Sequence, residues 1–146
     1  MENFAQLEEH KNLASELDIA ANCNWVHRVD WEEMPDYYNA ANVIVSISSN
    51  DSLPNCIMEA MACGVPVIAG DIPQLAELVT EGVTGYLVPT RNHLILAQRI
   101  LTVLQNREQI ADMLAFNALE LIGHTVDSRN TIPMIKQLVM DTAKEA

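Results

Sequence analysis

The chain has 146 residues, and 20 Asp and Glu against eight Lys and Arg give a net charge of −12 with its four His neutral. That length suits one domain with a core of its own, and 49% apolar with 19% charged residues is a globular composition, not a disordered one. Three classes are disfavoured. No apolar run approaches the ~18 residues of a membrane span, no cationic-then-apolar start suggests a secretory signal, and the acidic balance lacks the clustered Lys and Arg of a nucleic-acid surface.

In chain order, Glu2 to Leu17 carries Phe4, Leu7, Leu13, Ala14 and Leu17 at helical spacing and predicts an amphipathic helix. Trp25–Val29 is a short β-rich run. Met34 to Ala41 predicts a short helix with Pro35 near its start. Val43–Ser48 is a nearly all-apolar strand, so expected to be buried on both faces. A polar loop follows, then a helix from Pro54 to Ala62 that Gly64 closes. Val65–Ala69 is the next buried strand, Leu75–Thr80 a helix, Glu81-Gly82 a turn, and Gly85–Val88 a strand ended by Pro89. Asn92 to Gln105 shows Leu94, Ala97, Leu101 and Leu104 at helical spacing. Helices over Arg107–Ile122, stopping at Gly123, and over Thr131–Lys144 complete the pattern. No internal repeat or low-complexity tract is present.

Strands alternating with helices need crossover connections, which gives the α/β class: a parallel, Rossmann-like sheet of about four strands with helices on both faces. Such sheets bind ligands outside the carboxyl ends of their strands, here the loops after Ser48, Ala69 and Val88. The cysteines Cys23, Cys56 and Cys63 are too few and too scattered for a metal site. Cys56 and Cys63, two helical turns apart, stand roughly 10 Å from each other, too far to bridge. They read as buried free thiols of a reducing compartment. Most of the methionines read as core or interface filler, and Glu32-Glu33 and Glu8-Glu9 as solvated surface.

The helix Pro54–Cys63 holds a single charge, Glu59, among Cys, Ile, Met and Ala. A helix apolar all round is expected to be buried, and a carboxylate in it needs a hydrogen-bond donor. Glu59 is therefore either a structural acceptor or a ligand-facing acid. Asp51, in the loop entering the same helix, is either a cap or a second ligand-facing acid. The amides of that helix start favour a phosphate, whereas carboxylates accept hydrogen bonds from hydroxyls, as on a sugar and a ribose. No Lys or Arg occurs from Val29 to Thr90, so a pyrophosphate here would rest on backbone amides or on a cation from elsewhere; Arg28 and Arg91 flank the stretch.

Tyr37–Val45, Asp51–Ile68 with its Glu-Ala-Met-Ala-Cys-Gly-Val-Pro-Val-Ile core, Glu77–Val79 and Gly82–Pro89 together resemble the carboxyl-terminal domain of group 1 retaining glycosyltransferases of GT-B fold. The likeness runs from about Phe4 to about Leu121. It implies a nucleotide-sugar-binding domain and metal-independent transfer, with no cofactor and the nucleotide-sugar donor as substrate. Glu59 matches the acid that accepts from the ribose hydroxyls, and Asp51 stands where the family has the acid that contacts the donor sugar. Ser52, Leu53 and Asn55 would border the pyrophosphate, with Pro54 between them lacking an N–H. Ile72 and Pro73 lie in the donor loop after the next strand. His27 replaces a family glycine near the base and is otherwise a surface residue; Glu77 matches an acid near the donor.

The sequence departs from the family pattern in several places. Asp51 is shorter than the usual Glu by roughly 1.5 Å, about one C–C bond. Pro73-Gln74 replaces a Gly-Gly, which removes an N–H and restricts φ. The family's Arg and Lys for the pyrophosphate, its amino-terminal acceptor domain and the first two strands of this domain are expected to lie outside the chain. Residues 1–146 then form a single, truncated donor-binding domain, inactive alone. Expected partners are a nucleotide-sugar, the missing amino-terminal half or a second chain, and other copies through open strand edges, with no nucleic acid and no membrane span. The resemblance implies a cytoplasmic location, with a membrane-peripheral one open for the full enzyme. The alternative is a non-catalytic binding or interaction module derived from the same domain. A nucleotide-sugar epimerase of the same fold is less favoured, since it would need the absent half.

Overall fold

A computed structural model describes residues 4–47, 55–125 and 129. Asp51, Ser52, Leu53, Pro54 and the predicted helix Thr131–Lys144 lie outside the described residues. The chain forms two compact units, Met1–Trp31 and Glu32–Ala146. Among the described residues, no helix is long and apolar enough to cross a membrane.

The first unit contains helix α1 (Phe4–Glu16) and a 3₁₀ turn, Ala20–Asn22. The helix closes on Asp18 at φ 55°, where Ile19 N–H donates to Ala14 O and Asp18 N–H to Ser15 O. This is a Schellman closure made by Asp, one of the few non-glycine residues that tolerates the left-handed region. Ala14 is buried, whereas Leu13 and Leu17, expected on the apolar face, are exposed. Trp25–Val29 is not a strand. Its β-rich composition fits an extended backbone, but a strand exists only through a neighbour, and none pairs with it among the described residues.

The second unit is an α/β layer structure. It runs through α2 (Met34–Ala40), β1 (Ile44–Ser46), α3 (Asn55–Ala62), β2 (Val67–Gly70), α4 (Pro73–Ala76), β3 (Tyr86–Val88) and α5 (His93–Gln105). A π-helical turn, Arg107–Ala111, then leads into α6 (Asp112–Thr125). The strands are parallel in the order β1-β2-β3, with Ile44 opposite Val67, Ser46 opposite Ala69, and Ile68 opposite Tyr86. Among the described residues the sheet has three strands, in line with the expected parallel sheet of about four.

The central strand β2 organises both layers. Val67 and Ala69 face a core built from Tyr38, Ile57, Met61, Leu75 and Ala118. Ile68 faces the opposite core of Val88, Val103 and Leu114. This is strand alternation with both faces covered by helices. Burying Val67 and Ile68 completely contributes about 1.5–3 kcal/mol each. The outer strand β1 departs from its expected burial on both faces: Val45 is 40% exposed, because β1 lies at the edge of the described sheet.

Other predicted elements shift for identifiable reasons. The helix expected over Leu75–Thr80 starts at Pro73, whose fixed φ suits a first helical position. It ends early, and Thr80 N–H donates to Thr84 Oγ1 at 2.8 Å instead of continuing a helix. Helix α5 is placed as predicted, with Asn92 Oδ1 accepting from Ile95 N–H. Its predicted stripe, however, faces outward: Leu94 is 72% exposed, and Leu101 and Leu104 are also exposed. The sheet instead takes Leu96, Ile100 and Val103, a second apolar stripe of the same helix. Helix α6 runs past Gly123 to Thr125, since a glycine costs a helix only about 1 kcal/mol. Met113 is exposed, and the cysteines are half-buried rather than buried.

Both turns that depend on glycine, at Gly64 and at Gly82 with φ 71°, are visible in the sequence. Gly64 closes α3 at φ 68°, with Val65 N–H donating to Ala60 O and Gly64 N–H to Met61 O. Gly85 leads into β3 closely packed against β2. A Cβ there would meet Val67 Cγ2 at 2.7 Å, Val67 O at 2.8 Å and Val79 Cγ1 at 2.9 Å. The outer edge of β3 is covered by Glu81, which accepts Leu87 N–H at 2.7 Å and Arg99 Nη2 at 2.6 Å. The Arg99 guanidinium stacks 4.5 Å from the Tyr86 ring centroid.

Gly85→Ala should lower stability by about 1–3 kcal/mol through overpacking. Gly123→Ala, whose Cβ meets nothing within 4 Å, should be neutral or gain up to about 1 kcal/mol. Urea unfolding of the two variants beside the parent checks this; equal effects would contradict the packing described.

Candidate functional site

A crossover helix between parallel strands starts near the carboxyl end of the first and finishes near the amino end of the second. Helix α3 connects β1 to β2 in this way, and its closing turn leads to Pro66, whose carbonyl accepts from Ile44 N–H at 2.9 Å. Asn55 therefore opens α3 on the carboxyl-end side of the sheet, with Glu59 one turn further along. Ile57, Ala60 and Met61 point into the core, whereas Asn55, Glu59 and Ala62 form an exposed stripe. The expectation of a helix buried all round is thus corrected. The one charged residue of α3 lies on an exposed face, because the small and apolar residues around it are shared between core and surface.

Glu59 is nonetheless held. Tyr38, buried in the core at 5% exposure, donates its hydroxyl to Glu59 Oε2 at 2.8 Å. The ring packs among the apolar side chains of α3 while the hydroxyl reaches its exposed face. Burial first, and then the hydrogen bond to Glu59 and its negative charge, push the Tyr38 hydroxyl well above its usual pKa. Burial and the Glu59 charge also raise the thiol of Cys63. Tyr38 entered the sequence reading only as part of a family-like segment. The available signal was the lone acid of the following helix, which required a donor from a neighbouring element.

Other expected residues are placed as follows. Ile72 lies just past the carboxyl end of β2, but its side chain is buried and its N–H donates to Gly70 O at 2.9 Å. With Pro73 having no N–H, neither residue presents a backbone donor. Glu77 is exposed just after α4. His27 is exposed in the first unit.

Arg91, which sequence alone could not aim, is exposed in the turn after β3 at φ 73°. With Ile47, Val88, Pro89, His93 and Leu96 it lines a cavity of about 250 Å³ at the carboxyl ends of β1 and β3. A second cavity, of about 180 Å³, lies at the opposite end of the sheet, where Arg107 Nη1 donates to Asn42 Oδ1 at 3.0 Å. Among the described residues, no group of three or more His, Cys, Asp or Glu could hold a metal ion.

Open parallel α/β sheets take ligands outside the carboxyl ends of their strands, the side on which α3 opens. The chain belongs to the group 1 glycosyl transferases, whose family model matches residues 4–118, and it corresponds to the carboxyl-terminal domain of their GT-B fold. It is similar to a D-inositol 3-phosphate glycosyltransferase of Geodermatophilus obscurus, 38% identical over 106 residues, which are 73% of this chain and 23% of that protein. It is also similar to sucrose-phosphate synthase from Thermosynechococcus elongatus, at 29% identity and a TM-score of 0.84, covering 97% of this chain and 35% of the other. HepE of Anabaena, solved in complex with UDP, shares the fold at 23% identity and a TM-score of 0.76, covering 96% of this chain and 37% of HepE. The chain spans about a fifth to a quarter of the length of the curated relatives it matches.

In the folded protein the Tyr38 hydroxyl stays protonated to higher pH than in an unstructured chain, where it titrates near 10. Its contribution to stability is therefore complete below about pH 10 and declines as pH rises from there towards the folded pKa. Tyr38→Phe should flatten that alkaline decline. Urea midpoints between pH 8 and 11 check this, and an unchanged slope would contradict the assigned hydrogen bond.

Proposed function

We propose that this chain is the donor-binding part of a retaining glycosyltransferase and that its exposed α3 face receives a nucleotide-sugar. Glu59 accepts hydrogen bonds from the ribose hydroxyls, a role suited to an ionised carboxylate with about four acceptor sites. Asp51 contacts a hydroxyl of the donor sugar, and Ser52, Leu53 and Asn55 border the pyrophosphate at the start of α3. Glu77 is a further donor contact in this reading. Residues 1–146 are then one donor-binding domain fragment. Transfer to an acceptor requires the amino-terminal half or a second chain, and the chain alone is inactive.

The observation that carries this reading is the placement of Glu59: exposed, on the carboxyl-end side of the sheet, and oriented by Tyr38. The complex of HepE with UDP supports the ligand class. Chemistry in such a site rests on positioning and on charge stabilisation as the nucleotide leaves, and the reading requires no metal.

The alternative is a non-catalytic module derived from this domain. It is favoured by the loop after β2, where Ile72 N–H is internally bonded and Pro73 has none. The two readings predict different responses to nucleotide. Under the donor-site reading, one of UDP, GDP or ADP stabilises the chain by about 2.7 kcal/mol at a hundredfold excess over Kd, several degrees in Tm. Glu59→Ala should abolish that shift and lower the unliganded Tm by a few degrees, because the buried Tyr38 hydroxyl loses its acceptor. Thermal-shift titration checks this; the absence of a shift with all three nucleotides, or a shift that Glu59→Ala leaves intact, overturns the donor-site reading.

A further inference from the structure

An exposed glutamate on a helix surface normally samples several rotamers, and ordering it on ligand binding costs conformational entropy. Glu59 differs in having one oxygen already engaged. Tyr38 is anchored in the core beside Ile57 and Met61, so its hydroxyl is a fixed donor and not a mobile surface group. It donates to Glu59 Oε2 at 2.8 Å. A phenol donates one proton and a carboxylate offers about four lone-pair sites, so among the described residues both sites on Oε1 and the second on Oε2 stay open. Three open acceptor sites, spread over both oxygens of one held carboxylate, can take a pair of hydroxyls on adjacent carbons.

We propose that Tyr38 is a positioning residue that sets the Glu59 carboxylate for a vicinal diol, and that the selectivity for a ribose 2′,3′-diol depends on it. The proposal rests on the donor-site reading of Glu59. Tyr38 touches no ligand in this account and acts only through Glu59. A purely structural tyrosine makes a different prediction: its hydroxyl would simply satisfy the edge of the core, and its loss would weaken every ligand equally.

The test is calorimetric titration of the full 146-residue chain with UDP and with 2′,3′-dideoxy-UDP, for the parent, Y38F, E59Q and the double variant. Y38F retains the buried ring, and its Tm, measured alongside, reports on folding. The parent should prefer UDP, and Y38F should reduce that preference roughly tenfold, the scale of a lost hydrogen bond to a charged group, while binding the dideoxy compound as the parent does. The double variant should be no worse than E59Q, because Tyr38 acts only through Glu59.

Outcomes separate the two levels of inference. A parent that prefers UDP, with E59Q losing the preference and Y38F keeping it, overturns the role of Tyr38 and leaves the donor site standing. Equal weakening of both ligands by Y38F also overturns it, in favour of a structural role. A parent that binds both compounds equally, or that binds neither these nor GDP nor ADP, overturns the donor-site reading and this proposal with it.

Discussion

The architecture of the larger unit depends on one short strand. β2, Val67–Gly70, is hydrogen-bonded on both edges and buried on both faces, so every neighbouring element is placed by what it packs against. Parallel pairing with β1 and β3 requires crossovers, and those crossovers set the direction of α3. The Schellman closure at Gly64 returns the chain to β2, and the space kept open by Gly85 lets β3 approach Val67. The stripe of α3 opposite the core is then exposed, and Glu59 lies on it.

An exposed carboxylate costs little to solvate, so burial alone does not explain this residue. What distinguishes it is a donor rooted in the core. Tyr38 commits one oxygen of Glu59, while the rest of the carboxylate faces outward. That arrangement suits recognition of hydroxyl groups better than recognition of phosphate, which a carboxylate repels. It is consistent with a domain that takes hold of a donor through its sugar hydroxyls and leaves the phosphates to other groups. Arg99 and Arg107 are both engaged within the protein, with Glu81 and Asn42, whereas Arg91 lines the cavity at the carboxyl ends of β1 and β3.

The sequence disclosed most of this architecture through local chemistry. The apolar run at Val65–Ala69, the glycine after α3, the Asn cap of α5 and the alternation of strands with helices each have a short-range cause. Three features were hidden because their causes are long-range. Trp25–Val29 has strand-like composition, but pairing is decided by a partner elsewhere. α5 carries two apolar stripes, and only the sheet determines that Leu96, Ile100 and Val103 face inward while Leu94, Leu101 and Leu104 do not. Glu59 was legible as an anomaly of its helix, but its exposure and its bond to Tyr38 are tertiary facts. The family-like segments identified the lineage of the chain, and the geometry supplied how one of their acids is held.

The most direct test of the account is a crystal structure of the chain grown with UDP. The account predicts that the ribose hydroxyls lie within hydrogen-bond distance of Glu59 while the Tyr38 hydroxyl remains on Oε2. UDP bound away from the exposed face of α3, in the cavity beside Arg91 and His93 for example, or a Glu59 that abandons Tyr38 and leaves the ribose without a carboxylate partner, would contradict it.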